Sequence, residues 1–193
     1  MSGTRERDAA RAGRMRFDRT RAPEDLPRCS SAEDAITAST SASDELDARV
    51  GASTIEGAGY GLFARRRLAA GDVVRGVTYG GDVLSLADAL KLGSEDKEYV
   101  MAMHFNVHVD ARRHYGYLGR YVNDAVGTAR ERNVRFEKDV ATRKATLRAI
   151  RDVEVGEELF AEYGRGYWRA RERMEEESAA RNDKDIFKDK SAL

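Results

Sequence analysis

A chain of 193 residues is long enough for one globular domain with an appendage and too short for two well-sized cores. Its 34 basic and 34 acidic residues cancel, which excludes a global field steering it to nucleic acid or to an anionic membrane, while 41% apolar residues suffice for one core. One cysteine, Cys29, excludes an internal disulfide and a thiolate zinc cluster, and no run approaches the ~20 apolar residues that span a bilayer.

Residues 1–48 hold both prolines and begin with eight arginines and no lysine up to Arg28. Five acids (Glu6, Asp8, Asp18, Glu24 and Asp25) argue against an organelle transit segment, and a soluble, intracellular protein is expected. From Ser30 to Asp47 a Ser/Thr/Ala/Asp/Glu mixture offers few apolar side chains to offset ordering entropy, so a disordered tail is predicted, with docking to a partner as the alternative. The character changes at Arg49. Short β-like runs follow at Val73 to Tyr79, Tyr99 to His104, Val107 to Asp110, Asn133 to Phe136 and Ala145 to Val153. Ser85 to Leu92 alone reads as a helix, so the ordered region is predicted to be mainly β, built of small sheets. Beyond Trp168, Arg169 to Arg181 is rich in Arg, Glu and Ala and predicts an exposed helix with Arg171 and Glu175 paired. The expected organisation is a tail over 1–48, a domain over 49–168 and a charged helical tail over 169–193.

Four constellations carry candidate chemistry. Gly57-Ala58-Gly59-Tyr60-Gly61 lacks the dinucleotide spacing and a P-loop lysine, and reads as a tight hairpin bend or a close backbone approach to a ligand. Gly71-Asp72 launches a strand that ends in Thr78-Tyr79-Gly80-Gly81-Asp82. Gly119-Arg120-Tyr121-Val122-Asn123-Asp124 precedes Arg132-Asn133-Val134-Arg135-Phe136; the Asn123 amide suits a zwitterionic ligand and equally a buried turn. The last is Gly156-Glu157-Glu158-Leu159-Phe160-Ala161-Glu162-Tyr163-Gly164, then Tyr167-Trp168.

In this order and spacing the series resembles the SET-domain family along about 120 residues, most of all its compact viral-like forms without a zinc-binding tail. The resemblance implies a β-clip of small curved sheets with few short helices and a threaded C-terminal segment. It implies protein-lysine N-methylation from S-adenosylmethionine, with a histone tail as the leading substrate class. A non-histone protein, or an inactive SET-fold binding module, is the alternative. It places Gly59, Tyr60 and Gly61 against the cofactor, and Arg120, Asn123 and Asp124 on the family's Arg-Phe-x-Asn-His pattern, with aspartate replacing histidine. Asn123 would hold the methionine amino group, and Asp124 would act through its main chain. Tyr163 matches the catalytic tyrosine, while Tyr79, Phe136, Tyr163 and Tyr167 would line the lysine channel. A phenylalanine at 136 implies di- or trimethylation, since a tyrosine there would hold a water where an added methyl must sit. With the zinc cysteines missing, Tyr167 and Trp168 would close the site, Trp168 stacking on adenine.

Plainer readings stand beside these: Tyr163 as a strand-end core residue, Phe136 as sheet core, and Trp168 as a cap against the tail helix. His104 and His108 are expected on one side of a single strand, with no acidic or thiol partner in pattern, so no metal site is expected. The balanced charge and the lack of an apolar span lead us to expect no direct nucleic-acid contact and no membrane contact; a nuclear or cytoplasmic location is expected, and the resemblance to the compact viral-like forms implies a possible homodimer.

Overall fold

The computed structural model describes residues 29–41, 46–93, 95–169 and 171–173. It opens on a helix, α1 (Ala32–Ser41), inside the stretch expected to be disordered. Ser30, Ser31 and Asp34 start it: the Asp34 N–H donates to Ser31 Oγ at 3.1 Å, and the Asp34 carboxylate accepts from the Ser30 N–H at 2.9 Å. Its buried residues are Ala35 and Ser39, which pack on β1 (Ala48–Ala52). Ser39 Oγ accepts the Val50 N–H at 3.1 Å and donates to Ile36 O, so both ends of the hydroxyl are satisfied. Disorder therefore does not hold for this segment. Ala35 and Ser39 are small and count for little on any hydrophobicity reading; Ile36, partly buried against the hydrophobic core, is the large apolar side chain beside them. The eight N-terminal arginines lie outside the described residues.

β1 forms an antiparallel hairpin with β2 (Tyr60–Ala64), in register Gly51 to Gly61. The connecting turn has Gly57 and Gly59 at positive φ, as expected for a tight bend. At the base of β1 the fully buried Asp47 carboxylate accepts from Arg66 Nε at 2.6 Å, Arg66 Nη2 at 2.7 Å, Arg75 Nε at 3.1 Å and the Arg75 N–H at 2.9 Å. Burial alone would raise its pKa; these bonds outweigh that and lower it to about 2.

β3 (Val73–Tyr79) belongs to a three-stranded sheet, order β3-β9-β8, with β8 (Val134–Asp139) and β9 (Lys144–Ala149). β4 (Asp82–Leu84) joins β5 (Val100–His104) and β6 (Val107–Asp110) in a second, order β4-β6-β5. Between them α2 (Leu86–Lys91) is capped by Ser85, whose side chain accepts the Asp88 N–H. The short pair β7 (Asn123–Asp124) and β10 (Phe160–Ala161) is parallel. The mainly β class is therefore the observed one. Of the expected strands, Val73 to Tyr79 and Val107 to Asp110 match residue for residue. The Ala145 run ends at Ala149, with Val153 reduced to a bridge to Leu68.

Val50, Leu62, Leu68, Val77, Val134, Leu147 and Leu159 form the main core, and Tyr79, Met103, Val109, Ala111 and Ala145 a second one. Phe136 packs against both. His104 and His108 lie on adjacent strands of one hairpin rather than on a single strand, because the turn falls between them. Residues 165–169 and 171–173 are helical, so the C-terminal helix takes in Tyr167 and Trp168. The expected partner of Arg171, Glu175, lies outside the described residues; Arg171 Nη1 sits 3.8 Å from Glu98.

Candidate active site

The site is organised by the parallel β7–β10 pair, which sets Phe160 beside Asn123 and Ala161 beside Asp124. Buried Asn133 pins β10 in place: its Oδ1 accepts the Phe160 N–H at 2.8 Å and its Nδ2 donates to Glu158 O at 2.8 Å. Asn133, read in the sequence only as part of the Arg132-Asn133-Val134-Arg135-Phe136 run, sets the path of the chain into Tyr163. Immediately beyond β10, the Tyr163 N–H donates to Asp124 Oδ2 at 2.7 Å, and the Tyr163 hydroxyl donates to Val122 O at 2.7 Å.

Asn123 and Glu158 form the second part. Asn123 Nδ2 lies 3.0 Å from Tyr60 O, 3.1 Å from Ser53 Oγ and 3.2 Å from Glu158 Oε1. A carbonyl and a carboxylate only accept, which fixes the orientation of the amide. Glu158, 3% exposed, also accepts from Ser53 Oγ at 2.7 Å and from Thr54 N and Oγ1 at 2.7 and 2.6 Å. It thereby ties the Gly57–Gly61 turn to Asn123. Sequence reasoning missed this role. A Cβ on Gly61 would fall 2.1 Å from Glu158 Oε1, so only glycine lets the carboxylate sit there. At Gly59, φ is +69° and the space around a Cβ is open.

Aromatic side chains supply the third part. Tyr163 meets Tyr167 edge-on at 4.8 Å and lies parallel to Trp168 at 6.5 Å and 15°. Tyr167 meets Trp168 edge-on at 5.3 Å. Tyr79 and Phe136 form a T-shaped pair at 5.7 Å, and the Tyr79 hydroxyl donates to Tyr99 O. Burial pushes both the Tyr79 and Tyr163 phenols far above the ordinary range, with Tyr163 adding to the shift of Tyr79 and Tyr167 to that of Tyr163.

The structure thus brings together Tyr60, Asn123, Asp124, Tyr163, Tyr167 and Trp168, with Tyr79 and Phe136 paired alongside. Arg120 is held differently from the others. Its guanidinium lies over the rings of Tyr99, Tyr115 and Tyr121 at 4.4, 4.6 and 5.1 Å and donates to Arg112 O at 3.2 Å. The Trp168 indole N–H donates to Asp124 Oδ2 at 2.9 Å, so the Asp124 side chain takes part as well as its main chain. A cleft of about 330 Å³ touches Thr54, Glu157, Glu158 and Phe160 but none of the aromatic group around Tyr163. Among the described residues, no group of three or more His, Cys, Asp or Glu side chains is placed to hold a metal ion, and no helix is long and apolar enough to cross a membrane.

Comparison with known proteins places this geometry. A protein-family model described as the SET domain matches residues 59–164. The histone-lysine N-methyltransferase EZH2 of Chaetomium thermophilum is 31% identical over 126 residues, which are 60% of this chain and 8% of that protein. Polycomb repressive complex 2 of Chaetomium thermophilum bound to GSK126 is 28% identical over 68% of this chain and 17% of that one, with a TM-score of 0.52. The ctPRC2 complex in an autoinhibited conformation bound to S-adenosylmethionine is 28% identical over 69% of this chain and 17% of that one, also with a TM-score of 0.52. The chain spans less than a tenth of the length of the curated relative. With the matched segment running from the Gly59 turn to Gly164 and enclosing Asn123, Asp124 and Tyr163, the chain belongs to the SET domain family.

Proposed function

We propose that this chain is an S-adenosylmethionine-dependent protein-lysine N-methyltransferase acting on histone tails. The observation that carries the reading is Tyr163, half-buried, whose hydroxyl is fixed on Val122 O next to Asn123. The histone-lysine methyltransferase named among its relatives, and the neighbour bound to S-adenosylmethionine, support the same reading.

The residues fit such a cofactor. The Asn123 Nδ2 is taken by protein acceptors, so the group left to offer a ligand is Oδ1, an acceptor suited to an ammonium. Gly59 leaves open space beside the same turn. When bound, S-adenosylmethionine supplies an electrophilic methyl on a positively charged sulfur. A substrate lysine, with an unperturbed pKa near 10.4, must enter without its proton, and apolar walls of Tyr79 and Phe136 disfavour the ammonium form. Tyr163 stays protonated and gives its hydrogen to Val122 O. The lone pairs of its oxygen are then available to complement positive charge on the transferring methyl. Tyr167 and Trp168, packed on Tyr163, exclude water from that side.

An inactive binding module is the second reading, motivated by aspartate where the family pattern has histidine. Calorimetry with S-adenosylmethionine separates the two. The enzyme reading expects binding to the wild type and to Tyr163→Phe, with turnover lost only in the variant. A wild type that neither binds the cofactor nor labels any protein would refute it.

A further inference from the structure

Both oxygens of the Asp124 carboxylate are used, by three donors, one local and two from the C-terminal segment. Oδ1 accepts the Val126 N–H at 3.0 Å; Oδ2 accepts the Tyr163 N–H at 2.7 Å and the Trp168 indole N–H at 2.9 Å. The residue is 8% exposed, and all three of these donors are neutral. A carboxylate buried among neutral donors costs desolvation, and charge-assisted bonds of this kind offset that cost only when made together. The histidine of the family pattern cannot make this set, because a neutral imidazole has one acceptor nitrogen. Trp168 in turn lies parallel to Tyr163, with Tyr167 edge-on to both. The chain has a single cysteine, so no thiolate cluster of its own anchors this C-terminal segment.

We propose that Asp124 is a positioning residue that holds Trp168 over Tyr163, so that the aspartate substitution and the aromatic closure of the site are one device. Its effect on catalysis rests on the methyltransferase reading above; the bond itself does not. Asp124→Asn tests it with almost no change of shape. The amide offers Trp168 at best a neutral acceptor in place of a charged one, which weakens the indole bond in either orientation, and in one orientation its Nδ2 meets the Tyr163 and Trp168 donors head-on. Trp168 is the only tryptophan, so its fluorescence reports on this residue alone.

In Asp124→Asn the emission should shift to the red and be quenched more readily by acrylamide. S-adenosylmethionine should bind at least ~10-fold more weakly by calorimetry, the loss expected for one bond to a charged group. Trp168→Phe keeps the Tyr163 bond and loses the indole bond. It should weaken cofactor binding as Asp124→Asn does, and it serves as the test if the asparagine variant does not fold. Unchanged emission and quenching in Asp124→Asn would overturn the proposal. So would unchanged cofactor affinity in both variants. A wild type that binds no cofactor would defeat the methyltransferase reading, whereas the emission shift would still decide whether Asp124 holds Trp168.

Discussion

Tyr163 and Tyr79 are phenols whose ionisation is suppressed by burial, and this has a consequence for rate. In the proposed reaction the lysine must lose its proton before attack, so kcat/KM should rise with pH. Because both phenols are shifted upward, neither ionises below about 10, and no descending limb should appear before then. A fall in kcat/KM at mildly alkaline pH, with the fold intact, would contradict this. Phe136, edge-on to Tyr79 and without a hydroxyl, is expected to permit di- or trimethyl-lysine. Mass spectrometry should find higher methylation with the wild type and mainly monomethyl-lysine with Phe136→Tyr; monomethyl-lysine alone from the wild type would refute it. Tyr163, Asn123 and the Gly59–Gly61 turn were legible in sequence because each belongs to a local motif. The roles of Glu158 and of the Asp124 side chain were not. Their hydrogen bonds reach residues up to 105 and 44 positions away, and no local spacing records such partners.

Among the elements, α1 and β1 show what a pattern of apolar residues conceals. Ala35 and Ser39 are the fully buried residues of α1, with Ile36 alone as a large side chain beside them, and Asp47 roots β1 through two arginines. By contrast β3, β6 and α2 were readable to within a residue at each end, since β-branched runs and the Ser85 cap mark them directly. Asp47→Asn should destabilise the fold by about 3 kcal/mol, the lower end for a broken buried pair because both arginines reach solvent. The native pKa is depressed, so the stabilisation is complete above the unfolded value near 3.9 and is lost as pH falls toward about 2. Acid melts should therefore converge for wild type and variant at that end; a constant gap would contradict the assignment. Gly61→Ala should cost about 1–3 kcal/mol in denaturant melts, because its Cβ would collide with a Glu158 side chain that four bonds hold still. Full retention of stability would show that Glu158 moves aside freely.

At the scale of the molecule, two cores and several small sheets serve one short parallel pair, β7 with β10, which brings residues near 123 to residues near 163. That juxtaposition was implied by the order of the motifs and by nothing in their periodicity, since two-residue strands carry no pattern. It is also what makes the chain a candidate catalyst, because neither segment holds the site alone. The direct measurement is transfer of radiolabelled methyl from S-adenosylmethionine to core histones and to a cell extract, with labelled bands identified by mass spectrometry. Wild type should label a lysine of a histone tail, and Tyr163→Phe should label it at least ~100-fold more slowly while binding cofactor as before. Absence of label on every protein offered to the wild type, or equal rates for the two proteins, would contradict the account.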